Sequence, residues 1–301
     1  MRIFLTGATG FIGSHIIPEL RARGHDVTGL ARSDTGAHAL AAAGAKAHRG
    51  TLADLDSLRA GAARADAVIH TAFDHDFSRF AANCETDRQA IEALGEALRG
   101  SDRPLLITSG VGMGDAGDGR PATEAVFNPH HPNPRVASEL AGQKLLDAGV
   151  NLSVMRLPQV HDTRRQGLVS LAIDLARDKG RVAYVGEGLN RWAAAHVTDV
   201  ARLYALAIER AEAGARYHAV AEEGVAARDI ARAVGEGLGL PVVALDPEQA
   251  ADHFGWFAMF AAADLTASSA RTRAMLGWTP TGPDLLADLR AMDYAAAGRR
   301  A

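Results

Sequence analysis

In the first half of the chain, short apolar runs alternate with segments whose apolar residues recur at helical spacing. Residues 3–5 are wholly apolar and stop at Gly7; residues 11–23 then read as an amphipathic helix. Strands are expected at 25–31, 46–48, 66–72, 104–109 and 151–157, with helices at 36–43, 54–63, 83–98 and 136–148 between them. Asp54 stands where a helix cap belongs. The run at 66–72 is nearly all apolar, as in a strand covered on both faces. This alternation predicts an α/β protein with a Rossmann-type, doubly wound parallel sheet.

Beyond Asp162 the alternation fades. Helices are expected at 168–177, 197–210, 228–238, 247–260 and 283–297, short strands at 181–185 and 217–220, and a turn-rich loop at 186–191. We therefore expect a dinucleotide-binding domain over 1–160, with 193–211 packing back on it. A smaller, mixed α/β substrate-binding region is expected over 161–301. The glycine-rich stretch 112–119 is the candidate for a mobile lid.

The turn after the first strand carries the chemistry. Gly7, Gly10 and Gly13 have the spacing G-x-x-G-x-x-G, with a strand before them and a helix after. Such a turn presents backbone N–H groups at the positive end of a helix, where a diphosphate can sit. Thr9, Phe11 and Ile12 belong to the same loop. Gly7 would permit the turn, Gly10 the approach of the pyrophosphate, and Gly13 the close packing of helix on strand. The second strand ends at Ala31, followed by Arg32 and Ser33. An acidic residue there suits the ribose hydroxyl of NAD; a guanidinium fork and a hydroxyl suit the 2′-phosphate of NADP. NADP is the expected cofactor, with NAD less favoured. Thr51 and Leu52, after the third strand, stand where the adenine commonly lies.

Ligands of such sheets bind outside the carboxyl ends of the strands. Phe73, His75 and Asp76 follow the fourth strand, Ser109 ends the fifth, and Pro158, Val160 and His161 follow the sixth. Histidine titrates near neutrality, so His75, His131 and His161 are candidate proton donors, with His161 ranked first.

Composition narrows the field. The chain has 301 residues, 48% hydrophobic and 23% charged, and a formal net charge of −4. No basic stripe suggests a nucleic-acid partner. The single Cys84 excludes an internal disulfide or a multi-cysteine metal site, and reads as a small buried apolar residue. The chain enters a strand at once and has no apolar run near the ~20 residues of a membrane span. A cytoplasmic protein with no membrane partner and a small-molecule substrate is expected.

Taken together, these residues resemble the short-chain dehydrogenase/reductase superfamily, on its extended branch of sugar-nucleotide epimerases and dehydratases. The glycine turn is similar to the cofactor loop of that family. DAVIHTA is similar to its fourth-strand motif, RLPQVH to its sixth-strand exit, and WAAAHVTDVARLYALA to a later segment holding His196 and Asp199. The resemblance implies that Ala72 packs beside the adenosine and that Pro158 and Val160 lie near the nicotinamide. His196 and Asp199 read as helix-start and packing residues; no metal is expected there. It also implies a homodimer through the helices at 83–98 and 136–148.

The family uses a serine after the fifth strand and a Tyr-x-x-x-Lys pair on the next helix. Ser109 matches the serine. Arg135 stands in place of the tyrosine and Glu139 in place of the lysine, while Asp87 replaces a usual asparagine. Two readings of Arg135 remain open. It is either one half of an exposed i,i+4 pair with Glu139, or an electrophile for a developing oxyanion. The expected function is an atypical NADP-dependent oxidoreductase acting on a small-molecule carbonyl/alcohol or activated double bond. An epimerase/dehydratase and a non-catalytic NADP-binding sensor are the alternatives. Phe254, Trp256, Phe257 and Phe260 read as core or as the lining of a pocket.

Overall fold

Apolar runs too short for stable isolated helices or hairpins must find partners across the chain, and here a parallel sheet supplies them. The computed structural model describes residues 1–295. Its first half runs β1 (Arg2–Thr6), α1 (Phe11–Ala22), β2 (Asp26–Ala31), α2 (Asp34–Ala42), β3 (Lys46–Arg49), α3 (Leu55–Ala63) and β4 (Ala67–His70). There follow α4 (Phe80–Glu96), β5 (Leu105–Gly110), α5 (Val136–Asp147) and β6 (Leu152–Leu157). The second half has β7 (Gln159–His161), α6 (Leu168–Lys179), β8 (Val182–Val185), β9 (Arg191–His196), α7 (Val197–Arg210) and β10 (Arg216–His218). It continues with β11 (Glu222–Ala226), α8 (Ala227–Leu238), β12 (Val242–Leu245), α9 (Pro247–Phe254), α10 (Ala258–Ala261), α11 (Ala270–Leu276) and α12 (Leu285–Ala291).

Seven strands form one sheet in the order β10-β6-β5-β4-β1-β2-β3, with every pairing parallel. The order reverses beside β1, so a crevice opens between the carboxyl ends of β1 and β4, as in other doubly wound sheets. β10, expected as part of the smaller region, instead joins this sheet beside β6. α7 also returns to it: Val200, Leu203, Tyr204 and Ile208 share one buried cluster with Ile16, Ile17 and Leu20 of α1. Each such aliphatic side chain contributes ~1.5–3 kcal/mol on full burial.

The rest is smaller. β11-β9-β7 and β12-β8 make two short sheets, covered by α6, α8 and the aromatic segment around Phe254 and Phe257. β7, β9, β11, β12 and α11 have no counterpart among the elements expected from the pattern. β9, RWAAAH, is rich in alanine, which has little strand preference of its own, and is held by neighbours on both sides. The helix expected at 247–260 is broken at Gly255, whose φ of +54° is left-handed. The helix expected at 283–297 is confined to α12, and its last two residues lie outside the described ones. The stretch 112–119 is only partly open: Met113 and Gly114 are buried, and a Cβ on Gly114 would sit 2.4 Å from the Thr123 carbonyl oxygen.

Candidate active site

The crevice is shaped by glycines. Gly7 has φ of +68°, and a Cβ there would fall 2.6 Å from Thr71 Oγ1 and 2.7 Å from the Ala72 nitrogen. The β1 exit therefore lies directly against the β4 exit. A Cβ on Gly13 would fall 2.1 Å from the Gly7 carbonyl oxygen, so α1 packs tightly on the loop. Gly10 is the N-cap of α1 with no side-chain cap and no acidic residue in the first turn. The first N–H groups of that helix, from Phe11 onward, are left for another partner. Ser33 caps α2, its Oγ accepting from the Gly36 nitrogen at 3.1 Å. A Cβ on Gly36 would meet Thr9 Cγ2 at 3.6 Å, so the start of α2 adjoins the glycine loop. Arg32, one residue earlier, is exposed and makes no ion pair among the described residues. Thr51 is exposed and Leu52 half-buried at the end of β3; Val160 is buried and Pro158 half-buried beyond β6.

Beneath the crevice runs a buried chain of polar groups. Thr6 Oγ1 lies 2.7 Å from His70 Nδ1, and His70 Nε2 lies 3.1 Å from Asp87 Oδ1. The other Asp87 oxygen accepts from Ser138 Oγ at 2.6 Å and pairs with Arg135 Nη1 at 2.7 Å. Arg135 Nη2 donates to the Thr108 carbonyl at 3.1 Å, and its guanidinium sits 3.9 Å over the Phe73 ring. Thr108 Oγ1 in turn bonds the His70 carbonyl and the Tyr204 hydroxyl, each at 2.7 Å. Burial alone would raise the Asp87 pKa, but Arg135 and His70 outweigh it and hold the carboxyl below the usual range. Next to Thr108, Ser109 is buried and its hydroxyl oxygen has no hydrogen-bond partner. A buried polar atom without a partner is uncommon and asks for one.

The exposed Arg135–Glu139 pair is corrected. Arg135 pairs with Asp87, and its side chain is only 14% exposed. Glu139 is buried and takes a bidentate grip from Arg156, with Nε–Oε1 and Nη2–Oε2 both 2.8 Å. Arg156 Nη1 also donates to the carbonyls of Thr123 and Val126.

His161, the first-ranked proton donor, does not lie open to solvent, and its Nε2 has no hydrogen-bond partner among the described residues. It pairs in register with His196 across β7 and β9, is wholly buried, and its Nδ1 lies 2.7 Å from Asp288 Oδ2 on α12. Burial pushes its pKa down, partly offset by Asp288. His75 is exposed and lies edge-on to Phe73 with ring centres 5.3 Å apart. His131 Nδ1 accepts from the Asn133 nitrogen at 3.1 Å, which places the proton of the neutral ring on Nε2. His196 caps α7, and Asp199 accepts from the nitrogens of Thr281 and Gly282. Among the described residues, no group of three His, Cys, Asp or Glu is placed to hold a metal. Burial pushes the Cys84 thiol up to about 11.

With this geometry in view, the relatives are informative. The model of the NAD dependent epimerase/dehydratase family matches residues 3–221. The chain belongs to that family. A protein of Schizosaccharomyces pombe is 45% identical over 295 residues, covering 98% of this chain and all of that protein. The 4-hydroxy-2-methyl-3-oxo-4-farnesyl-3,4-dihydroquinoline-1-oxide ketoreductase of Stigmatella aurantiaca is 28% identical over 234 residues, covering 72% of this chain and 67% of that protein. The solved UDP-glucose 4-epimerase of Thermus thermophilus in complex with NAD shares the fold, with a TM-score of 0.76, 24% identity, and coverage of 99% and 100% of the two chains.

Family relatives are epimerases, dehydratases and reductases, and this chain is of that oxidoreductase or epimerase class. Within this chain Arg135 is a cation locked by Asp87, and Glu139 is a carboxylate turned into the core. Sequence reasoning noted Asp87 but missed its partners His70 and Ser138. One signal was available: an acidic residue and an arginine replace two neutral residues of one family site, as an ion pair would.

Proposed function

We propose that the protein is an NADP-dependent oxidoreductase acting on a carbonyl/alcohol or activated double bond of a small molecule. The observation that carries this reading is the buried, partnerless hydroxyl of Ser109, next to Thr108, whose carbonyl holds Arg135. The residues present fit the cofactor: an uncapped helix start, a glycine loop that no side chain fills, and an exposed, unpaired Arg32 beside a serine cap. The N–H groups from Phe11 onward would hold the diphosphate, and Arg32 with Ser33 the 2′-phosphate. Ala72 and Phe73 would flank the adenosine side, Pro158 and Val160 the nicotinamide. Bound there, NADPH supplies a hydride.

For a carbonyl substrate, the Ser109 hydroxyl would donate to the oxygen, and the Arg135 guanidinium would stabilise its growing negative charge. Arginine cannot itself give up a proton near neutrality. The proton that completes the alcohol comes from solvent at the mouth, where exposed His75 can relay it. The ketoreductase relative acts on a ketone by its name, which supports this direction. A homodimer through α4 and α5 belongs to the same reading; Leu140 on the outer side of α5 is 41% exposed.

The cofactor assignment has a direct test. Arg32→Ala should raise the Kd for NADPH about tenfold, as loss of a charge-assisted contact would, and leave that for NADH within about twofold. Titration of cofactor fluorescence measures both. Equal losses for the two cofactors would refute the 2′-phosphate role.

A further inference from the structure

The loop after β4 and the break after α9 come from opposite halves of the chain, yet their aromatic rings meet at the mouth of the crevice. Phe77 stacks on Trp256 with ring centres 4.6 Å apart and planes 11° from parallel. Phe77 also touches Phe80 at 5.4 Å and Phe260 at 6.1 Å, and Phe80 touches Phe73 at 6.1 Å. Phe73 carries the Arg135 guanidinium on its face. One aromatic wall thus leads from Arg135 out to Trp256.

This wall is not core. Trp256 is 48% exposed, and Met259 beside it is 52% exposed. Phe73, Phe77, Phe80 and Phe260 are each only half-buried. A contiguous aromatic face left open beside a polar reaction centre is characteristic of a ligand site. The loop is pinned in place: Asn83, itself buried, donates to the carbonyls of Asp74 and Asp76. Its charges oppose an anionic ligand. The cation that touches the wall, Arg135, is neutralised by Asp87, and on the loop the exposed carboxylates of Asp74 and Asp76 outnumber the one exposed cation, Arg79. A nucleoside diphosphate would meet a loop that carries two exposed carboxylates and one exposed cation.

We propose that the substrate is a flat, uncharged aromatic carbonyl compound. Its ring system would lie on the wall of Phe73, Phe77, Phe80, Trp256 and Phe260, with its carbonyl directed to Ser109 and Arg135. This rests on the oxidoreductase reading above and narrows its substrate. In the reaction, a hydride adds to the carbonyl carbon, the C=O π pair moves to oxygen, and a solvent proton completes the alcohol; NADPH is oxidised to NADP⁺.

The test is calorimetric titration of the NADP-loaded full-length protein with 2-naphthaldehyde, cyclohexanecarbaldehyde and UDP-glucose. 2-Naphthaldehyde should bind saturably and about tenfold more tightly than the cyclohexane analogue, given stacking on aromatic faces. Phe77→Ala and Trp256→Ala should each weaken it about tenfold, while NADPH affinity, which also reports folding, stays unchanged. Unaltered naphthaldehyde binding in both variants would overturn the proposal. So would tighter binding of UDP-glucose, or absence of saturable naphthaldehyde binding in the unmutated protein. Failure of that protein to bind NADPH in a separate titration would instead overturn the oxidoreductase reading.

Discussion

Two buried ion pairs start one turn apart on α5 and serve opposite ends. Arg135 reaches Asp87 on α4 at the crevice, with its guanidinium over Phe73 and its outer edge still 14% exposed. Glu139 reaches Arg156 on β6, and neither side chain is exposed at all. The second pair also ties down the segment of Thr123 and Val126 through their carbonyls, and draws Arg216 to 3.3 Å. Exposure separates the roles. A guanidinium at the edge of a cleft can still offer hydrogens to a ligand; one buried among a carboxylate and two carbonyls is spent on the fold.

The largest test of this contrast is Arg156→Met. It leaves Glu139 buried with only Arg216 near it, and should cost about 3–5 kcal/mol of unfolding free energy. Urea denaturation measures this. The double variant Glu139→Leu with Arg156→Met should recover part of the loss, since no lone charge stays buried. Recovery should be incomplete, because two carbonyls still lose their donor.

Arg135→Lys is the counterpart at the crevice. Lysine keeps a charge for Asp87 but loses the planar fork. Because Asp87 is not left as a lone buried charge, the stability loss should stay below the ~3–5 kcal/mol of Arg156→Met, whereas kcat for carbonyl reduction should fall about 10–100-fold with KM little changed. A variant with unaltered kcat would make Arg135 a fold residue like Arg156.

The buried side also has a pH effect. His218 Nε2 lies 3.2 Å from Arg156 Nη1, and its Nδ1 donates to the Ser268 carbonyl. Burial, and then Arg156, push its pKa down to about 3. The unfolded chain therefore binds a proton below about pH 6.5 that the folded chain refuses. Stability is full above that value and falls by up to about 1.4 kcal/mol per pH unit as pH drops toward the folded pKa. His218→Gln should flatten this slope in denaturation curves taken between pH 6.5 and 4.5 (about two units of the window). An unchanged slope would assign the acid sensitivity elsewhere.

Much of the first half was legible because its signals are local. A strand that ends at Gly7 and a helix that starts after Gly10 lie within a dozen residues, and periodicity reads them directly. The parallel sheet followed from the alternation, and the serine at the end of β5 from its place in the chain. Arg135 and Glu139 were legible as departures from a family pattern, but not in what they touch. Spacing alone joins residues four apart on a helix; here each turns to a different neighbour, because desolvated charges pair with whatever counter-charge packing brings closest.

What the sequence by itself determined, then, is the glycine turn, the doubly wound sheet and the positions that could touch a dinucleotide. The tertiary structure decided the partners. It gave His161 its partner Asp288, carried β10 into the large sheet, and split the aromatic segment at Gly255 into buried Phe254 and Phe257 and open Trp256. The physical reason is range. Turns and periodicity are set by bonded neighbours, while ion pairs, edge strands and aromatic walls depend on residues far apart in the chain, as Phe77 is from Trp256 by 179 positions.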